Sequence, residues 1–173
     1  MDGGFQSKTR SYDYTTLQLD LVAALEMTGL EYMRALTSGR VGARPSMGDT
    51  MNMSIPFDLE EGQARIEAEP ADFLLNPLGS VHGGFAATIL DSVIGVATHT
   101  ALPKATGYTT AELKINFTRA IRPDTGRLRA EGRVIHVGRQ MVTAEGRLTG
   151  IADGKLYAHG SATSFLFPLA RKG

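Results

Sequence analysis

His82-Gly83-Gly84-Phe85-Ala86-Ala87-Thr88-Ile89-Leu90-Asp91-Ser92-Val93-Ile94-Gly95-Val96-Ala97 is the stretch whose reading decides the fold. It is apolar or small on nearly every face of a helix, and such a helix is normally buried. One carboxylate, Asp91, interrupts it. Ionised carboxylates are seldom fully buried unless paired or hydrogen-bonded, because desolvation is costly. The sequence therefore predicts a buried central helix over residues 83–100 carrying an acid that must be satisfied, neutralised or used. The two glycines after His82 favour use.

Strand patterns flank this helix on both sides. Before it, Met51 to Leu59 reads as a strand broken by Pro56, which points to an edge position or a bulge. Ala64, Ile66 and Ala68 then alternate with polar residues, predicting a half-buried strand. After it, Leu113, Ile115 and Phe117 alternate in the same way. Residues 128–137 and 141–151 are strand-like around a Gly138-Arg139-Gln140 turn, and Asp153-Gly154 is a strong hairpin signal leading into 156–167. Farther out, Leu17, Leu21, Leu25, Met33 and Leu36 recur at helical spacing, predicting one helix from Thr15 to Ser38. Thr15 or Thr16 is its expected cap and Gly39 its stop, with Gly29 marking a kink or break. The segment 39–49 reads as a loop. The expected organisation is a flexible tail (1–14), an N-terminal helix and loop (15–49), and a body (50–173), all in one domain. Two strands, one very apolar helix and four further strands fit an α+β layer arrangement, a single helix enclosed by a curled antiparallel sheet.

Composition removes several function classes. The 173 residues hold 18 Lys plus Arg and 18 Asp plus Glu, so the formal net charge is zero. That balance argues against a nucleic-acid binder working through bulk positive charge. There is no cysteine, which excludes disulfides, a thiolate nucleophile and cysteine-ligated metal. His99, His136 and His159 lack metal-ligand spacing, so no metal is expected. No basic, apolar leader and no run of ~20 apolar residues is visible, so a cytoplasmic protein without a membrane span is expected.

The segment Asn76-Pro77-Leu78-Gly79-Ser80-Val81-His82-Gly83-Gly84, with Asp91 nine positions after the histidine, resembles the hotdog-fold thioesterases of the PaaI (phenylacetate-degradation) type. Tyr108 to Phe117 and Gly126 to Arg147 resemble them too, and the similarity spans about residues 50–167. His-Gly-Gly alone is weak; its spacing to Asp91 and to Asn76 is more specific. The resemblance implies the hotdog fold, hydrolysis of acyl-coenzyme A thioesters without a further cofactor, and a homodimer, often doubled to a homotetramer.

Residue chemistry gives these positions work to do. Helix N-termini leave backbone N–H groups unpaired and partly positive. Without side chains, Gly83 and Gly84 let a thioester oxygen approach closely. Asp91 is then the general base towards water or the nucleophile. Gly83 and Asp91 are separated by about 12 Å along a helix, too far for one carbonyl to touch both in one chain. Two antiparallel central helices across a two-fold axis solve this, and the resemblance implies that arrangement. It also gives Asn76 a role in positioning water or thioester, although Asn-Pro favours an ordinary Asx turn. His82 supports the oxyanion loop or simply caps the helix. Burial is expected to raise the pKa of Asp91 and a hydroxyl partner to lower it; Thr110 or Thr109 is that partner. Alternatively Thr88 satisfies the acid. Arg119, Arg122 and Arg139 are candidates for the coenzyme A phosphates. Leu25 and Met33 are candidates to wall the acyl pocket. Competing readings are a non-catalytic acyl-CoA-binding protein and an acyl-thioester dehydratase or hydratase.

Overall fold

The computed structural model describes residues 6–16, 19–43 and 45–170. Central helix α4 (Gly83–Thr100) is preceded by α1 (Leu21–Glu26), α2 (Gly29–Thr37), α3 (Met47–Thr50), β1 (Phe57–Glu60) and β2 (Gln63–Ala68). It is followed by β3 (Thr106–Phe117), β4 (Leu128–Val137), β5 (Met141–Gly150) and β6 (Leu156–Pro168). The six strands form one antiparallel sheet in the order β1-β2-β4-β5-β6-β3, curled around α4. The predicted hotdog architecture is what the chain adopts. No helix among the described residues is long and apolar enough to cross a membrane.

Helix α4 packs through Ile89, Leu90, Val93, Ile94 and Ala97, all essentially inaccessible, against inward residues such as Leu128, Ala130, Ala144, Leu148 and Ala158. Each large side chain removed from water contributes roughly 1.5–3 kcal/mol. Two glycines set how close helix and sheet come. A Cβ at Gly132 would lie 2.4 Å from the Val93 carbonyl oxygen, and one at Gly146 would lie 2.9 Å from Ile94 Cγ1. The sheet backbone therefore rests directly on the helix.

The N-terminal half departs from expectation. The helix predicted over 15–38 is two helices, the first starting at Leu21 with Asp20 Oδ1 accepting from Ala23 N–H at 3.0 Å. Asp20, and neither Thr15 nor Thr16, is the cap; Leu17 lies outside the described residues. The break falls at Met27, because Thr28 and Glu31 form a reciprocal capping box that starts a second helix. Gly39 does close that helix, at φ +73. The segment read as loop contains the short α3. The predicted strand from Met51 contracts to β1, since Pro56 has no N–H for a ladder; Met53 keeps one bridge to Ala68.

Candidate active site

Asp91 is exposed in the single chain, contrary to the burial expected of it. The apolar character of α4 is uneven. Its large residues face the sheet, while the stripe containing Gly84, Ala87, Thr88, Asp91 and Ser92 is small or polar and only partly covered. Thr88 does not satisfy the acid, because its hydroxyl donates to the Gly84 carbonyl at 2.9 Å. Thr110 does: its Oγ1 donates to Asp91 Oδ1 at 3.3 Å.

A β-bulge explains why Thr110, and not Thr109, reaches the acid. Along β3, Leu113 and Ile115 pack on the core and the Phe117 ring lies against Gly83. Simple alternation would carry that face back to residue 109. The pairing with β6 slips between Thr110 and Glu112, however, and the extra residue, Ala111, swaps the parity. Bulges re-aim side chains in this way. Tyr108 and Thr110 consequently face α4, and Thr109 sits on the opposite face, exposed beside Phe165.

At the start of α4, His82 is the N-cap, its Nδ1 accepting from Gly84 N–H at 2.9 Å. That bond removes Gly84 from the expected pair of oxyanion donors. Among the described residues the Gly83 N–H meets no acceptor, so it is the donor left at the positive end of the helix. Asn76 is spent within its own loop: Oδ1 accepts from Leu78 N–H at 2.9 Å, and Nδ2 donates to Ser80 Oγ at 2.8 Å. This is the Asx turn. It builds the 76–80 loop whose far end, Val81, donates to the Ile121 carbonyl at 2.9 Å and leads into His82. Arg119 shares a surface cleft with His82, Gly83 and Phe117.

The chain is similar to several known proteins. The thioesterase superfamily model matches residues 78–155, from the loop before His82 through the β5–β6 turn. That segment is similar to the thioesterase superfamily. A candidate esterase of Halobacterium salinarum is 34% identical over 99 residues, which are 56% of this chain and 65% of that relative's length. A candidate thioesterase from Ralstonia eutropha, described as phenylacetic acid degradation-related, is 26% identical with a TM-score of 0.69, covering 78% of this chain and 98% of its own. A Streptococcus mutans protein solved bound to acetyl CoA shares the fold at 23% identity, with a TM-score of 0.60, covering 67% of this chain and 90% of its own. The PaaI-type resemblance is borne out.

Within the matched segment the predicted residues do not all meet. Asp91 and Thr110 form one cluster and His82, Gly83 and Arg119 another, eight residues apart on α4, or about 12 Å. Arg122 is exposed beyond Arg119, its N–H donating to Thr125 Oγ1 at 2.8 Å. Arg139 lies in the β4–β5 turn at the opposite end of the sheet from Arg119, since Met141 aligns with Phe165 and Thr109 whereas Phe117 aligns with Ala158. Among the described residues no group of three or more acidic or histidine side chains is placed to hold a metal ion.

Tyr108 was missed by sequence reasoning. Its hydroxyl lies over Gly95, one helical turn after Asp91, where a Cβ would come within 2.9 Å. Burial first, and the Asp91 charge second, push its pKa up to about 12. It therefore stays a neutral donor. The available signal was Gly95: a glycine at i+4 from an acid in a helix marks where another group approaches. Tyr108 also packs edge-on against His99, which stacks on Tyr32 at 5.5 Å.

Proposed function

We propose that the protein is an acyl-CoA thioesterase, with each active site shared between two subunits of a homodimer. The observation that carries this reading is the split of the site. Asp91 with its Thr110 partner and the open Gly83 N–H lie on one exposed face of the same helix, yet too far apart to act on one carbonyl. An antiparallel second copy of α4 brings the Gly83 of one subunit to the Asp91 of the other. Small residues along that face allow close approach, and β3 is an edge strand whose outer backbone groups are open to pairing. The acetyl CoA seen in the Streptococcus mutans protein supports the substrate at the level of the fold.

In one route Asp91 takes a proton from water, hydroxide adds to the thioester carbonyl, and the oxyanion is held by the Gly83 N–H. Collapse expels coenzyme A thiolate, which is then protonated. In the other, the carboxylate adds directly, expels the thiolate as a mixed anhydride forms, and water hydrolyses that anhydride. Both use the same atoms. Arg119 at the cleft beside Gly83 is the best-placed residue for a coenzyme A phosphate; Arg122 lies farther out, and the place of Arg139 at the other end of the sheet gives it less support.

The test is free-thiol release from a panel of acyl-CoA thioesters. Turnover by the wild type and a loss of at least ~100-fold in kcat for Asp91→Asn, the lower end of what a general base contributes, support the reading. Undiminished turnover in that variant refutes it.

A further inference from the structure

A second hollow adjoins Asp91 on the C-terminal side. It has a volume of about 240 Å³ and runs from Ser92, Val96 and Tyr108 outward between α2, α3 and the segment before β1. Met33, Met47, Met53, Ile55 and Val96 line it, and none of the described lining residues carries a charge. Of the two wall candidates read from sequence, Met33 lines it and Leu25 does not.

Resting on the thioesterase reading, we propose that this hollow receives the acyl group. It would select an uncharged, apolar acyl chain of medium length through residues 33–66, which lie outside the matched thioesterase segment. Three observations converge. The hollow opens at the residue following Asp91 and at Tyr108, which shares the helix-facing side of β3 with Thr110. A carbonyl held at Asp91 therefore has this hollow within reach of its acyl carbons. The described wall residues offer a carboxylated acyl group no cation, and desolvating that charge is costly. Size follows from volume: a cavity of ~150 Å³ takes one benzene ring, so about 240 Å³ takes roughly eight to ten carbons. The methionines suit chains of differing shape, because their side chains re-pack easily.

The experiment compares kcat/KM for acetyl-, butyryl-, octanoyl-, hexadecanoyl- and succinyl-CoA in the wild type, Val96→Phe and Met47→Trp. Val96 lies half-buried in the wall, whereas Met47 is 52% exposed at the rim, where a larger side chain leaves folding intact. The wild type should prefer octanoyl-CoA, with hexadecanoyl- and succinyl-CoA at least ~10-fold poorer, and both variants should lower the octanoyl-to-acetyl ratio at least ~10-fold. Binding of free octanoate, followed by calorimetry, separates the two claims. Thioester turnover whose octanoyl-to-acetyl ratio and octanoate affinity are unmoved in both variants overturns the pocket and leaves hydrolysis standing. Octanoate binding that both variants abolish, in a wild type that turns over no thioester, supports the pocket and refutes hydrolysis.

Discussion

At the scale of the residue, the site depends on how Thr110 is aimed. A single hydroxyl at 3.3 Å holds Asp91 on an otherwise open helix face, so its removal should loosen the acid without removing it. Thr110→Val is expected to lower kcat by about tenfold, in line with 1–1.5 kcal/mol for a hydrogen bond, with KM little changed and activity restored in Thr110→Ser. A merely structural threonine would lower stability without this pattern. Much of the site was legible in residue types: an acid in an apolar helix, and glycines at a helix start. The choice between Thr109 and Thr110 was not, because it depends on the bulge at Ala111, and one extra residue in a ladder leaves no mark on the alternation of a single strand. Nor did side-chain size on α4 reveal that Asp91 is exposed, since alanine and glycine populate covered and open helix faces alike.

At the scale of the element, α4 is fixed by close contact with the sheet and carries one polar defect. Thr98 is fully buried, and its Oγ1 is the buried side-chain oxygen without a partner among the described residues. Thr98→Val keeps the shape and removes that cost, so it should raise stability by about 1 kcal/mol, or a melting temperature by ~2–4 °C for a chain of this size. Gly132→Ala should act in the opposite sense. Its Cβ meets the Val93 carbonyl oxygen at 2.4 Å, and overpacking of this kind costs roughly 1–3 kcal/mol; denaturant midpoints measure both. The strands and α4 were readable from periodicity and turn residues. A break in the N-terminal helix was readable at Gly29; the capping box Thr28-x-x-Glu31 that causes it was not read, because helical periodicity runs on through Met27.

At the scale of the whole molecule, pH should act on stability through His99, where α2, α4 and β3 meet. Burial lowers its pKa from 6.5 to about 4. Above pH 6.5 both folded and unfolded chains hold it neutral and its contribution is constant. Between pH 6.5 and about 4 the unfolded chain takes up a proton that the folded chain refuses, so stability falls by about 1.4 kcal/mol per pH unit. His99→Phe, which keeps a ring between Tyr32 and Tyr108, should flatten that slope in denaturant titrations across this window.

In the proposed homodimer, assembly of two chains completes each site. Gly83 is the first residue of α4, a position that tolerates proline, and His82 before it is already extended at ψ 139. Gly83→Pro therefore removes one N–H while keeping the helix, and should cut kcat by ~10²–10³, as loss of one oxyanion donor does. The most direct measurement mixes this variant with Asp91→Asn, unfolds and refolds the two together at equal amounts, and follows thiol release. Statistical pairing makes half of the dimers mixed, and each mixed dimer contains one site with both residues intact. Recovery to about one quarter of wild-type activity is the predicted result; a mixture as inactive as its two components would place both residues in one chain's site and contradict the account.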